Sequence, residues 1–222
     1  MRSPLVVTGC ARSGTQYVAK VLESLGLRAG HEKIYRPDAD ARGVDAAWQG
    51  RDAEASWLAV PWLWRLPAGA VVVHLVRDPI KVVRCLALHD WFATEDRGNA
   101  DFVRKHLPAC RKGTALEKAA QYALGWNALA EEAGRRAGLR YARVRIEGLR
   151  ADRLHALLAL AGRQVPVVRI EEVLEVIPRD VGACRGHGEG DVTWAQVLRT
   201  PAGPALADLA RRHGYRPEGV TP

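Results

Sequence analysis

A glycine, four residues, a second glycine and a hydroxyl make up Gly9-Cys10-Ala11-Arg12-Ser13-Gly14-Thr15, the stretch of this chain best equipped for chemistry. It follows the β-branched run Leu5-Val6-Val7-Thr8. It precedes Tyr17, Val18, Val21, Leu22 and Leu25, which share one face at helical spacing. The order strand, loop, helix aligns successive backbone N–H groups with the positive end of a helix, and together these hold an anion. The glycine spacing is that of a Walker A loop, but such a loop places a lysine before its Ser or Thr. Here Thr15 follows Gly14 directly, and the cation is Arg12, inside the loop. The expectation therefore turns away from an ordinary ATPase or GTPase, whose lysine reaches the outer phosphates and whose hydroxyl holds magnesium.

Two further groups stand where strands are expected to end. Gly26 to Gly30 reads as a helix stop and a short second strand delivering His31-Glu32. In open α/β sheets ligands gather at the carboxyl ends of strands, which makes the Glu32 carboxylate a candidate general base. Ala70 to Val76 is continuous, apolar and β-branched, as a central parallel strand buried on both faces should be. It runs into Arg77-Asp78-Pro79. Asp78 has a structural use as a helix cap with Pro79 in the first turn. Arg77 has none, and so stands as a fixed cation beside a helix N-terminus.

The remaining elements are those that must position these groups. Residues 33 to 52 read as a polar loop. Ser56 to Leu66 carries Trp57, Trp62 and Trp64 around Pro61, a broken helix or two short pieces whose tryptophans are expected in the core, with a substrate-facing aromatic wall as the alternative. A helix follows Pro79, and His89 to Arg111 reads as a loop and short helix of lid-like composition. Leu116 to Ala137 has the stripe of a long helix, Leu139 to Ile146 alternates like a strand, and Ala151 to Ala161 is a helix. Val165 to Ile177 fits either a strand or a short helix. Cys184 to Asp191 is a glycine-rich polar loop. Thr193 reads as an N-cap, and Gly203-Pro204 opens the last helix. The expected architecture is a single α/β domain over residues 1–222, a mainly parallel sheet with helices on both faces.

The 222 residues suffice for a sizeable core. The formal charge of +8 comes mostly from arginine, which suits acidic ligands and bidentate binding of oxyanions. Cys10, Cys85, Cys110 and Cys184 show neither C-x-x-C nor zinc spacing and are expected as reduced thiols in a cytoplasmic protein. The first strand begins too early to leave room for a signal peptide, and no apolar run reaches the length of a membrane span.

The lysine-free loop with Arg-Ser-Gly-Thr after the first strand, and Arg-Asp-Pro after a later one, together resemble sulfotransferases that use 3′-phosphoadenosine 5′-phosphosulfate (PAPS). Tyr122-x-x-x-Trp126-Asn127 and Arg145-x-Glu147-x-Leu149 add to the likeness, as do the late Thr-Trp and Gly-Tyr pairs. The resemblance spans most of the chain and is closest to bacterial members. It implies a three-layer α/β/α, P-loop-like fold and transfer of a sulfuryl group to a hydroxyl or amine. By position, Arg12 would hold the leaving phosphosulfate. Ser13, Gly14, Thr15 and Gln16 would wrap the 5′-phosphate, and Tyr17 would lie against adenine. Arg77 would take the 3′-phosphate, and Arg185-Gly186 would close over it. Glu32 would be the base. The family's usual serine eight positions after the 3′-phosphate arginine is Cys85 here, and a thiol is the weaker donor.

The resemblance implies no metal, no nucleic acid and no membrane span, and a small-molecule or glycan acceptor. Two other readings compete. One is a P-loop small-molecule kinase, opposed by the missing lysine. The other is a nucleotide-binding protein without turnover, kept open by Cys85.

Overall fold

The computed structural model describes residues 3–89, 91–94, 98–136, 138–181 and 192–218. Four strands form one parallel sheet in the order β2-β1-β3-β4: β1 Leu5–Gly9, β2 Ala53–Ala55, β3 Val71–Val76 and β4 Arg140–Arg145. β1 and β3 are buried along their whole length, which accounts for their unbroken apolar character. β4 lies at the edge and exposes Arg140 and Arg145. From β1 the chain goes first to β2 on one side and then to β3 and β4 on the other. The direction therefore reverses between β1 and β3, and ligands of open α/β sheets bind beyond the carboxyl ends of strands at such a point.

The chain divides into two compact units, Met1–Val76 with Leu129–Ala183, and Arg77–Ala128 with Cys184–Pro222. The first holds the sheet. Helices α1 (Thr15–Ser24), α7 (Ala151–Leu160) and α8 (Val167–Val176) bury Tyr17, Val18, Val21, Leu22, Leu154, Leu157, Leu158, Ile170 and Val173 in one core with the strands. Full burial of a side chain such as Leu22 stabilises by roughly 1.5–3 kcal/mol. The core is fastened by Arg163, itself 6 % exposed. Its guanidinium donates to the backbone oxygens of Ser3 and Ala161 at 2.7 Å and to that of Asp52, and pairs with the Asp52 carboxylate. Across the sheet, His74 Nδ1 meets the Tyr141 hydroxyl at 2.6 Å.

In the second unit, Asp78 accepts from the Ile80 N–H and Pro79 occupies the first turn of α3 (Pro79–Leu88), as expected. Then come α4 (Trp91–Thr94), α5 (Asn99–His106), a 3₁₀ turn over Pro108–Arg111 and α6 (Ala115–Gly134), the last turns of which belong to the first unit. Trp91, Phe92, Phe102, Tyr122 and Trp126 pack edge-on or tilted at 5.0–6.2 Å between rings. Thr193 caps α9 (Trp194–Leu198) in a capping box with Gln196, and α10 (Gly203–Arg212) follows.

Two expectations need correction, and one open choice is settled. Residues 27–30 are not a strand: only His31 makes a single bridge, to Ala55, and the second strand is Ala53–Ala55. The segment 33–52 contains helix α2 (Ala41–Ala47). The open choice at 165–177 resolves as helix α8.

Candidate functional site

The loop after β1 is built on two glycines that accept no side chain. A Cβ on Gly9 would collide with the carbonyl oxygen of Leu75 on the neighbouring strand, so glycine here lets β1 and β3 close up beneath the loop. Gly14, the N-cap of α1, has φ +100° and would press a Cβ to 2.9 Å from Ile146. Between them, Arg12 also takes a left-handed conformation, with φ 69°. The Ser13 N–H donates to the Cys10 carbonyl at 3.1 Å, which closes the turn. Ser13 is 1 % exposed, and its hydroxyl has no hydrogen-bond partner among the described residues. An orphaned hydroxyl in a loop at a helix N-terminus fits an oxyanion bound there.

Helix α1 starts with Thr15, whose Oγ1 lies 3.2 Å from His31 Nε2. The same nitrogen lies 3.4 Å from Oε1 of Glu32. Burial, reinforced by the Lys33 charge, lowers the His31 pKa to about 4. The imidazole is therefore neutral near pH 7, and its contact with Glu32 is a polar contact and not an ion pair. Glu32 has φ 54°, and among the described residues it and Arg12 are the two non-glycines with positive φ. Such backbone costs energy and persists where surrounding contacts enforce it.

The backbone of the two residues after Glu32 is held by Glu54, in the middle of β2 and fully buried. Its Oε1 accepts from the backbone N–H groups of Lys33 at 2.6 Å and Ile34 at 3.1 Å. Burial raises its pKa, opposed by these two hydrogen bonds and by Arg51. The sequence gives only a faint hint of this role, a carboxylate between two alanines in Ala53-Glu54-Ala55.

The structure thus brings Thr15, His31 and Glu32 together beside the loop that carries Arg12, Ser13 and Gly14. Arg12 and Gln16 are exposed. Tyr17 is 3 % exposed within the core of its unit, its hydroxyl without a hydrogen-bond partner among the described residues and its pKa raised by burial. Arg77 is half-buried and directly follows the last residue of β3. Cys85 is buried in α3 and disulfide-bonded, which corrects the expectation of a reduced thiol there: its sulfur carries no S–H donor. Cys10 and Cys110 are free. Arg185 and Gly186 lie outside the described residues.

The chain matches no protein-family model and no curated protein. Among solved structures it is similar to mouse sulfotransferase SULT7A1 complexed with PAP, at 13 % identity and a TM-score of 0.47, covering 95 % of this chain and 89 % of that one. Among the described residues, no helix is long and apolar enough to cross a membrane.

Proposed function

We propose that the chain is a sulfotransferase, moving a sulfuryl group from PAPS to an acceptor hydroxyl or amine. The observation that carries the reading is the pairing of an oxyanion loop with a carboxylate–imidazole couple in one unit: Ser13 offers an orphaned hydroxyl, and Thr15 links the loop to His31 and Glu32. PAPS would supply an activated sulfuryl group on a phosphate leaving group. The residues of the chain do the rest. Arg12 and the loop amides face the charge that grows on the departing phosphate, a fixed field that needs no rearrangement during reaction. Ser13, Gly14, Thr15 and Gln16 hold the 5′-phosphate. Glu32 takes the acceptor proton, help worth about 10²–10⁴-fold. His31, held neutral, orients that carboxylate from its place against Thr15. Arg77 takes the 3′-phosphate, and Arg185-Gly186 contributes to the same contact.

A second reading, nucleotide binding without turnover, draws on Cys85, where a disulfide sulfur replaces the donor expected at the 3′-phosphate. Two measurements separate the possibilities. Thermal shift with adenosine 3′,5′-bisphosphate, ADP plus magnesium, and GTP reports the ligand, since one at about 100 times its Kd adds about 2.7 kcal/mol to stability. Selective stabilisation by the bisphosphate is expected; a response to ADP with magnesium alone would select a kinase. Transfer of labelled sulfate from PAPS across a panel of alcohols, phenols, amines and glycans then divides enzyme from binder.

A further inference from the structure

At the opposite end of β1 from the phosphate loop lies a cavity of about 210 Å³, lined by Pro4, Tyr35, Val44, Asp45, Trp48, Trp62, Arg65, Leu66 and Pro67. Pro4 immediately precedes β1, and Pro67 lies just ahead of β3, bonded through its carbonyl to the Ala70 N–H. At about 3.3 Å per residue, the five residues of β1 separate this cavity from the loop by roughly 17 Å.

Two buried donor atoms in its wall, Trp62 Nε1 and Arg65 Nε, have no hydrogen-bond partner among the described residues, while the Tyr35 hydroxyl has the Trp48 indole N–H for a partner. Tyr35 is fully buried, and Trp48 lies edge-on to its ring at 6.4 Å. Buried polar groups in folded proteins are almost always paired, and an orphaned one costs about 1–3 kcal/mol. Two around one cavity, beside a phenol whose own proton is still to be donated, describe a site that something else completes.

The chemistry of these groups limits what that is. The Trp62 indole N–H and the guanidinium Nε–H only donate, and the phenol, accepting from Trp48, keeps its own proton to donate. The occupant must therefore offer several acceptor oxygens. Asp45 adds an acceptor, with Oδ2 at 3.1 Å from Arg65 Nη2. It neutralises much of the guanidinium charge and would repel an anionic ligand. A cation would face a wall of donors. Water alone suits the place poorly: the volume holds about seven molecules, and much of the wall is ring face, proline and aliphatic carbon. A neutral ring bearing hydroxyls satisfies every constraint. Its oxygens accept from Trp62, Arg65 and Tyr35, its hydroxyls donate to Asp45, and its C–H face lies on the aromatic wall. The volume, below that of drug-sized pockets, matches a single small ring.

We infer that this cavity is a binding site for one pyranose unit, separate from the phosphate loop and independent of the function proposed above. The test is ligand-observed saturation-transfer NMR on the full chain with methyl glucoside, galactoside and mannoside and with N-acetylglucosamine, beside benzoate and inorganic sulfate. At least one pyranoside should bind saturably in the millimolar range, as expected of so small a ligand. Adenosine 3′,5′-bisphosphate should not displace it. Tyr35→Phe and Trp62→Phe, each removing one hydrogen-bonding group, should weaken binding about fivefold. Asp45→Asn keeps the fold safe because Asp45 is exposed, and it should weaken binding similarly. The inference is overturned if no pyranoside saturates, if only benzoate or sulfate binds, if the bisphosphate displaces the sugar, or if folded Asp45→Asn binds as wild type.

Discussion

The hydroxyl of Thr15 lies 3.2 Å from Nε2 of His31, so the first residue of the helix behind the phosphate loop touches the residue before the candidate base. Since an ionised Glu32 only accepts, the neutral imidazole suits both neighbours best with its proton on Nε2.

This contact sets a pH dependence. The His31 pKa is lowered to about 4 in the folded chain, against about 6.5 for an ordinary histidine. Between these values the unfolded chain binds a proton that the folded chain refuses, so stability falls as pH drops through that window. The loss should be on the order of 1–3 kcal/mol. Urea unfolding at neutral pH and near pH 5 measures it, and His31→Gln should remove this part of the slope. An unchanged slope would place the imidazole in solvent.

Glu54 gives a sharper contrast. Glu54→Gln keeps a carbonyl oxygen for the N–H groups of Lys33 and Ile34 while removing a buried charge, so stability should change by less than about 1 kcal/mol. Glu54→Ala strands both donors and should cost about 2–4 kcal/mol. If Glu54 holds the 31–34 segment, sulfuryl transfer by the folded alanine variant should lose kcat with cofactor affinity nearly unchanged. Equal losses in the two variants would point to charge in place of backbone support.

Arg163 ties Ser3, Asp52 and Ala161 into one knot. Arg163→Ala leaves the Asp52 carboxylate, only 10 % exposed, without its buried partner, although Arg28 still reaches it. The expected loss is about 3–5 kcal/mol by denaturant unfolding. Lysine, a point charge without the planar fork, should not restore it.

What could be read from the chain beforehand was local. The β-branched runs of β1 and β3, the Asp78-Pro79 cap and the Thr193 cap each announce themselves within a few residues, and the structure has all of them. β2 does not, because three residues with a carboxylate in the middle form no apolar pattern. Its strand character comes from pairing with β1. For the same reason the extended reading of 27–30 failed: Arg28 and Gly30 each accept one backbone bond, from Asp52 and Ala55, but the ladder amounts to the single His31 bridge. Glu54, Arg163 and the Tyr35 hydroxyl are polar groups buried by tertiary neighbours, and sequence position gives no measure of that. The three tryptophans of 57–64 divide accordingly: Trp57 enters the core, Trp62 lines the cavity, and Trp64 is 58 % exposed beneath the Arg65 guanidinium.

The left-handed backbone at Arg12 and Glu32 yields the last prediction. A non-glycine residue in this region costs roughly 1–2 kcal/mol, part of which glycine gives back through its greater freedom when unfolded. Glu32→Gly and Arg12→Gly should therefore raise stability by about 0.5–1 kcal/mol in urea unfolding. Under the proposed function both should lose transfer. Arg12→Gly should abolish it, and Glu32→Gly should reduce it about 10²–10⁴-fold with bisphosphate binding nearly intact. Glu32→Gln keeps the strained backbone, so it should lose turnover without gaining stability. Gains in stability without loss of transfer would remove both residues from the chemistry and leave their backbone as an accident of the loops.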